Sequence, residues 1–280
     1  MRTLRKIISS HLAEVQGTPI SRALPSDGVR QISPFLLLDH LGPMTLVPGR
    51  PFVVEDHPHR GFEPVTFLFE GGNEHRDSAG GYGLLDSGDV QWMTAGSGVV
   101  HREGARKDYV DRGERFHAVQ LWVNLPKAYK MTRPKYQDIK AKSILVWEQD
   151  GARLRVVAGK LEGVPGPAST FTPMLVAHGK ARSQSSIEIP IPESYNAAVY
   201  VTQGSLRSNG QLIDARRLAW FDNNGPSIQL FSPVESEFLL LSGEAIDEPL
   251  ATRGPFVMNT PEEVEQAIED YRAGRIGVIS

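Results

Sequence analysis

Short apolar or alternating segments, separated by turn residues, recur along the chain and restrict its fold more than any other feature. Examples are "PVTFLFEGG" (64–72), "FHAVQLWVNLP" (116–126) and "NAAVYVTQGSL" (196–206). The 27 glycines and 20 prolines supply turns between such segments. Segments of this length and pattern are typical of strands, and their close succession predicts a β-sandwich or barrel. We therefore predict an all-β protein.

One segment, "NTPEEVEQAIEDYRAG" (259–274), has the pattern of a helix instead. Thr260 is in the N-cap position, Pro261 in the first turn, and Glu263 completes a capping box. Apolar residues follow at helical spacing, namely Val264, Ala267, Ile268 and Tyr271. Gly274 ends the segment. We predict a C-terminal amphipathic helix that packs this stripe against the barrels. Its mostly acidic polar face makes a membrane-lying role the weaker reading.

The length of 280 residues allows one large or two medium domains, and a faint internal repeat favours two. Each copy has an apolar strand, a glycine turn, a hairpin and a strand bearing a tryptophan. Alignment of Val65 with Val199 places Ile191 and Glu193 where His57 and His59 stand. We predict a metal-binding domain at 1–136, a metal-free domain at 137–255 with a join near 133–142, and a helical segment at 256–280.

Bulk composition excludes several classes of protein. The net charge of −3 disfavours a direct nucleic-acid partner. The absence of cysteine removes disulfides, thiolate metal sites and cysteine nucleophiles. No stretch approaches the roughly 20 apolar residues of a membrane span, and the N-terminal apolar stretch is too short for a signal peptide. We expect a soluble, cytoplasmic protein that does not bind membranes.

Two pairs of residues carry the chemistry that the sequence suggests. His57 and His59 are two residues apart, so on an extended strand both imidazoles project from one face, provided that Pro58 lies at an edge or bulge. His101 and Glu103 repeat this spacing. An isolated H-x-H is often two surface histidines. Two such pairs between glycine-rich turns indicate a divalent metal site with positions open for substrate or oxygen.

Glu63 leaves the assignment of the carboxylate ligand open. It completes an H-x-H-x3-E pattern, the first metal motif of the cupin superfamily, in which that glutamate is a ligand. Glu63 and Glu103 both share the strand phase of the histidines, so periodicity cannot choose between them. The carboxylate that does not bind metal could instead hold a histidine in one tautomer.

The remaining histidines have no ligand spacing. We interpret His75 as a hairpin residue that makes a local hydrogen bond rather than a pocket residue. His117 alternates with apolar residues and is interpreted as a buried core histidine. His11, His40 and His178 are interpreted as structural or exposed.

Longer strings resemble the pirin family, whose members are bicupin proteins of the cupin superfamily. They are "HPHRGFEPVTFLFEGGNEHRDSAG" (57–80), "GDVQWMTAGSGVVHREG" (88–104), "QLWVNLPKAYKMTRPKYQDI" (120–139), "PFLLLDHLGP" (34–43) and "GPFVMNTPEEVEQAIEDYRAGRIG" (254–277). The resemblance covers nearly the whole chain. It implies two stacked cupin (double-stranded β-helix) barrels with one iron site in the N-terminal barrel. The implied ligands are His57, His59, His101 and Glu103, with Glu63 outside the ligand set.

The resemblance also implies an activity. Some pirins show quercetin 2,3-dioxygenase activity, in which O2 opens a flavonol ring and carbon monoxide is released. We therefore expect an Fe2+ dioxygenase in which Glu103 acts as general base. Glu63 would support the ligands, while Val65, Phe67, Phe69 and Trp92 would either line the pocket or form plain barrel core.

Two other functions are compatible with the same ligands. Other pirins are described as transcriptional co-regulators or as partners of metabolic enzymes, so the chain could be an iron-containing, redox-sensitive module that binds a protein partner. It could also be a vestigial cupin with incidental quercetin activity. A dioxygenase needs a substrate-sized pocket beside the metal, whereas a binding module does not.

The chain departs from the family pattern at two positions. Arg102 and Gly104 stand where the family leads us to expect serine and methionine. Arg102 lies between two inward-facing residues, so it would point away from the metal. We expect these two residues to alter the entrance to the pocket.

Overall fold

The computed structural model describes residues 1–50 and 52–279. Strands account for 58% of the chain and helices for 8%, which confirms the predicted all-β fold with a C-terminal helix. Among the described helices, none has the length and apolar character needed to cross a membrane.

The strands are numbered in chain order. They are β1 Leu4–Ser9, β2 His11–Val15, β3 Thr18–Leu24, β4 Phe35–Thr45, β5 Val53–His59, β6 Phe62–Glu70, β7 Gly72–Asp77, β8 Tyr82–Asp86, β9 Val90–Thr94, β10 Val99–Ala105, β11 Arg115–Asn124, β12 Lys135–Ile139, β13 Val146–Gln149, β14 Ala152–Ala158, β15 Lys160–Leu161, β16 Val164–Pro165, β17 Met174–Ala181, β18 Ser185–Pro190, β19 Tyr195–Gln203, β20 Ser205–Ser208, β21 Gln211–Asp214, β22 Arg217–Phe221, β23 Ser227–Ser232, β24 Ser236–Glu244, β25 Ala251–Arg253 and β26 Phe256–Met258. The helices are α1 Lys107–Asp111 and α2 Pro261–Arg272, with 3-10 turns at Lys127–Tyr129 and Ala141–Ser143.

The chain forms two compact units, and each is discontinuous in sequence. The site unit contains Ala13–Ile20, Asp39–Ala141 and residues 246–279, and the second unit contains Met1–Leu12, Ser21–Leu38 and Lys142–Ala245. The change of unit after Ala141 lies inside the segment 133–142 where we expect the join. The predicted division at residues 136 and 255 treats each domain as one continuous segment, and it therefore misplaces the first residues of the chain. Residues 1–12 join the second unit because β1 pairs with β22, and residues 246–279 join the site unit.

The second unit is built from a seven-stranded sheet in the order β1-β22-β19-β24-β17-β14-β13 and a four-stranded sheet in the order β18-β23-β20-β21. β18 illustrates why these segments form strands: Ile187 and Ile189 are buried, while Glu188 between them is exposed. The inward-facing residues join one apolar core that includes Leu154, Val199 and Phe238.

The site unit contains the corresponding four-stranded sheet, in the order β5-β10-β7-β8. It also contains β12, β9, β6 and β11 and parts of β4, β3 and β2 from a larger sheet in the order β12-β9-β6-β11-β4-β3-β2. The run β9-β6-β11 matches β22-β19-β24 of the second unit, as the internal repeat predicts. Val65 pairs with Trp92 across β6 and β9, whereas Ala198, not Val199, pairs with Trp220 across β19 and β22. The pairing therefore differs by one residue from the predicted alignment of Val65 with Val199.

The C-terminal helix begins and packs as its sequence predicts. Thr260 Oγ1 accepts a hydrogen bond from the Glu263 backbone N–H, and the Glu263 carboxylate accepts one from the Thr260 N–H. Val264 and Ala267 are buried in a cluster with Val100 and other apolar residues of the site unit. Tyr271, at the end of the predicted stripe, is 38% exposed.

A buried lysine ties the C-terminal segment to the rest of the site unit. Lys130 is 1% exposed, and its ammonium donates to Gly61 O (2.8 Å), Asn124 Oδ1 (2.8 Å) and Val257 O (3.0 Å). Gly61 has a φ of +88°, and a Cβ atom built there would lie 1.9 Å from Val257 O. Only glycine therefore allows this close approach of the two backbones.

Candidate metal centre

The two predicted residue pairs lie on adjacent antiparallel strands. β5 pairs with β10, and His57 is the register partner of His101. β5 is the edge strand of its sheet and has no strand paired on its outer side. The missing N–H of Pro58 therefore costs no hydrogen bond on that side. The edge position predicted for Pro58 is confirmed.

The structure brings three of the four predicted ligands together. Ring nitrogens of His57, His59 and His101 all lie within 4.8 Å of one another. The Nε2 atoms of His57 and His101 are 2.8 Å apart, and the three ring centroids are separated by 4.3 to 4.8 Å. Burial lowers the pKa of both His59 and His101 well below its usual value, and the neighbouring His57 lowers it further. The two buried rings are therefore neutral at pH 7, the state in which imidazole binds a metal.

The hydrogen bonds of His57 and His59 also leave ring nitrogens available to bind a metal ion. His59 is 2% exposed, yet neither of its ring nitrogens has a hydrogen-bond partner in the described part of the chain. His57 Nδ1 donates to the carbonyl of Glu55 at 2.8 Å, which leaves the Nε2 lone pair available. The Nε2 atoms of His57 and His101 are close enough that both would hold the same cation.

Glu103 follows His101 on β10 but is held by another partner. Its carboxylate is half-buried and accepts a hydrogen bond from Gln120 Nε2 at 2.7 Å. Gln120 Oε1 in turn accepts from the indole N–H of Trp122 at 3.1 Å, which fixes the orientation of the amide. The Trp122 ring packs edge-on against His59, with centroids 5.4 Å apart. Glu103 is thus linked to the histidine cluster through Gln120 and Trp122.

Glu63 lies in the core, 1% exposed. Its carboxylate accepts a hydrogen bond from Thr94 Oγ1 at 2.7 Å. Burial raises the pKa of Glu63 to about 7, although the bond from Thr94 lowers it. Neither Glu63 nor Glu103 belongs to the group of described side chains whose ligand atoms converge. That Glu63 holds a histidine in one tautomer stays a prediction.

His75 is the residue of this site that the sequence interpretation missed. It lies within β7, not at a hairpin turn, and is 1% exposed. Its Nδ1 is 3.2 Å from Nδ1 of His101, on the side of that ring away from His57. The spacing of His75 and Asp77, again two residues apart on a strand, was the available signal.

A cavity of about 460 Å³ lies beside Glu103. Arg102 and Gly104 line it, together with Val53, Val110 and other residues of the site unit. Arg102 is exposed and donates to Asp56 Oδ1 at 2.7 Å, so it points away from the buried histidines as predicted.

The apolar residues predicted as pocket or core lie in the core. Val65, Phe67 and Trp92 are at most 1% exposed, and none of them lines the cavity. A pocket role for these three is therefore not supported, because β6 is covered on both faces.

The other histidines have structural partners. His117 is buried as predicted, with its Nε2 2.6 Å from Nε2 of His40, which is also buried. His178 Nε2 lies 2.6 Å from Glu237 Oε1 in the second unit. His11 is exposed, with its Nδ1 3.1 Å from Ser26 Oγ.

Comparison with known proteins gives matches along nearly the whole chain. Residues 17–123 match the family described as Pirin, and residues 176–277 match the Pirin C-terminal cupin domain. A Pseudomonas aeruginosa protein named "Putative quercetin 2,3-dioxygenase" is 41% identical over 88% of this chain and 87% of its own. Human Pirin is 36% identical over 97% of this chain and 92% of its own. A crystal structure titled as quercetin 2,3-dioxygenase from Acinetobacter baumannii superposes with a TM-score of 0.95 over 100% of both chains at 38% identity. These matches and the bicupin architecture establish that the chain belongs to the pirin family.

Proposed function

We propose that this pirin is an iron(II)-dependent dioxygenase that opens a flavonol such as quercetin with O2. The observation that carries the proposal is the convergence of ring nitrogens from His57, His59 and His101 within 4.8 Å. The similarity to proteins named as quercetin 2,3-dioxygenases supports the reaction type. The cytoplasmic location stays a prediction from the sequence.

The proposed ligands are the three imidazoles and Glu103, which projects from the same face of β10 as His101. Nitrogen donors with one carboxylate suit iron(II) among the divalent metals available to a cell. When bound, iron would hold O2 and the electron-rich flavonol within reacting distance and polarise the coordinated oxygen atoms.

Glu103 is the group we propose as general base. Its carboxylate borders the cavity, where it can accept the proton of a flavonol 3-hydroxyl. The amide of Gln120, itself oriented by Trp122, keeps the carboxylate directed. The buried faces of His59 and His101 keep bulk water from the reacting atoms.

The cavity supports the enzyme only through Glu103, because none of His57, His59 and His101 is among its described lining residues. Its volume of about 460 Å³ falls in the range of small-molecule sites, roughly 300–1,000 Å³. A redox-sensitive module that binds a transcription factor or a metabolic enzyme has no need of such a space beside Glu103. An aromatic small molecule is therefore the partner that we propose.

The test is the loss of the visible absorption of quercetin with Fe(II)-loaded protein under air and under nitrogen, with carbon monoxide measured as product. We expect turnover only under air, and none with His101→Ala. Glu103→Gln should lower the rate by roughly 10²–10⁴-fold, because proton abstraction is lost. Glu70→Gln, an exposed carboxylate paired with Arg115, is the matched control and should retain the wild-type rate. Equal rates for the wild type and His101→Ala would refute the proposal.

A further inference from the structure

We propose that His75 and Asp77 form a relay that fixes the tautomer of His101, so that its Nε2 is the atom presented to the metal. The inference rests on the metal site proposed above and gives His75 a positioning role within it. His75 is not itself a ligand in this arrangement.

The relay lies on one face of the sheet, where β7 pairs with β10. His75 is the register partner of Glu103, and Asp77 is that of His101. Residues two apart on each strand share a face, so all four side chains project to the same side. His75 and Asp77 are 1% and 6% exposed, which excludes water from their contacts.

The ring of His101 is contacted at both nitrogens. Its Nε2 lies 2.8 Å from His57 Nε2, and its Nδ1 lies 3.2 Å from His75 Nδ1. For Nε2 to bind a cation, the proton of neutral His101 must be on Nδ1. His75 Nδ1 must then accept that proton's hydrogen bond, which requires the proton of His75 to be on Nε2. The opposite pair of tautomers would place a proton on His101 Nε2 and block the site.

Asp77 selects between the two alternatives. Its Oδ1 accepts hydrogen bonds from the backbone N–H groups of Ala79 (2.6 Å) and Gly81 (2.9 Å), which orient the carboxylate. Its Oδ2 lies 3.6 Å from His75 Nε2. A carboxylate accepts hydrogen bonds and donates none, so its charge favours the proton on the facing Nε2 of His75.

Several polar atoms around Asp77 lack hydrogen-bond partners. Within the described residues, His75 Nε2, Asp77 Oδ2 and the hydroxyl of Tyr136 are buried without a hydrogen-bond partner. The rings of Tyr136 and His75 are tilted by 52° to each other, with centroids 4.5 Å apart. Buried polar atoms without partners are rare. A small movement of the three side chains towards one another would bring their polar atoms into hydrogen bonds with Asp77 Oδ2. We infer that metal binding at His101 draws the relay into direct hydrogen bonds.

Three variants separate the relay from simple packing. His75→Gln keeps a carbonyl oxygen that can accept from His101 Nδ1–H, whereas His75→Leu keeps bulk but has no acceptor. Asp77→Asn can donate to His75 Nε2 and would favour the wrong tautomer. His117→Leu removes a buried imidazole that contacts His40, away from the metal centre, and serves as the matched control.

The first measurement is Zn²⁺ affinity by chelator competition, with folding checked by circular dichroism. His75→Leu and Asp77→Asn should each weaken binding by roughly 10–100-fold, the usual effect of losing such a partner. His75→Gln and His117→Leu should bind as the wild type does. Wild-type affinity in His75→Leu would overturn the relay. Absence of Zn²⁺ binding by the wild type would instead refute the metal site itself.

The second measurement needs no variant that could fail to fold. In Zn²⁺-loaded wild-type protein labelled with ¹⁵N-histidine, NMR reports which nitrogen of each ring carries the proton. We expect a proton on Nδ1 of His101 and on Nε2 of His75. A proton on Nδ1 of His75 would overturn the proposal.

Discussion

The Nε2 atoms of His57 and His101 lie 2.8 Å apart across adjacent strands, directed at each other from a register pair. With His57 Nδ1 donating to a backbone carbonyl, the geometry presents converging lone pairs to a common point. The neighbouring His59 is buried with both nitrogens unpartnered in the described residues. A bound cation would give one nitrogen of each of the three rings a partner at once.

Metal should therefore stabilise the folded protein through His59. We expect Co²⁺ or Zn²⁺ at 100 times its Kd to raise the free energy of unfolding by about 2.7 kcal/mol. His59→Leu should abolish this gain in a thermal-shift titration. His11→Ala, an exposed histidine of the second unit, should retain it. A full gain in His59→Leu would show that the metal binds elsewhere.

Glu63 should make the metal-free protein less stable as the pH rises. Its folded pKa is about 7 against a usual value of 4.5, so between these values the folded state holds a proton that the unfolded state has lost. The free energy of unfolding therefore falls from pH 4.5 to pH 7 and then levels. Glu63→Gln should stabilise the protein at pH 8 by up to about 3 kcal/mol and should have little effect at pH 4. Urea unfolding at the two pH values measures this, and a gain that is equal at both would contradict it.

Lys130 should be a strong determinant of stability. Lys130→Met removes the donor of three buried hydrogen bonds and leaves their oxygen acceptors without it. We expect a loss of roughly 3–5 kcal/mol, measured by denaturant unfolding. Lys127→Met, an exposed lysine one turn earlier, should change stability by less than about 0.5 kcal/mol. Similar values for the two variants would rule out a stabilising role for the three hydrogen bonds of Lys130.

Gly104 should tolerate no side chain. A Cβ atom there would lie 2.3 Å from Phe52 O and 2.7 Å from Val53 Cα, so Gly104→Ala must push β5 and β10 apart. We expect a loss of about 1–3 kcal/mol in stability, with weaker Zn²⁺ binding because His57 and His101 lie on these strands. Arg102→Ala, which removes only exposed ion pairs, should leave the stability close to that of the wild type. Undiminished stability in Gly104→Ala would contradict the close strand approach.

Local sequence signals predicted the elements that depend on neighbouring residues. The capping box of Thr260 and Glu263, the edge position of Pro58 and the shared face of His57 and His59 each follow from spacing within a few residues. Each of these rests on local geometry that repeats in any helix or strand. The meeting of His57 with His101 joins two separate strands, and only the like spacing of the two pairs indicated it.

Features that depend on strand register could not be predicted in this way. His75 reaches His101 because β7 pairs with β10 in one register, and nothing near His75 in the sequence specifies that pairing. The bond between Glu103 and Gln120 likewise joins separate strands. The discontinuous units arise because β1 pairs with β22, more than 200 residues later in the chain, so a linear division could not describe them.

Assembly of the site unit has a consequence for biosynthesis. The histidine-bearing strands leave the ribosome before Val257 and the residues of α2 that pack beside Val100. Until then, Lys130 lacks one of its acceptors and the cluster around Val100 is open to solvent. The packing around Lys130 and Val100 should therefore be completed only after the segment that carries Val257 has been made.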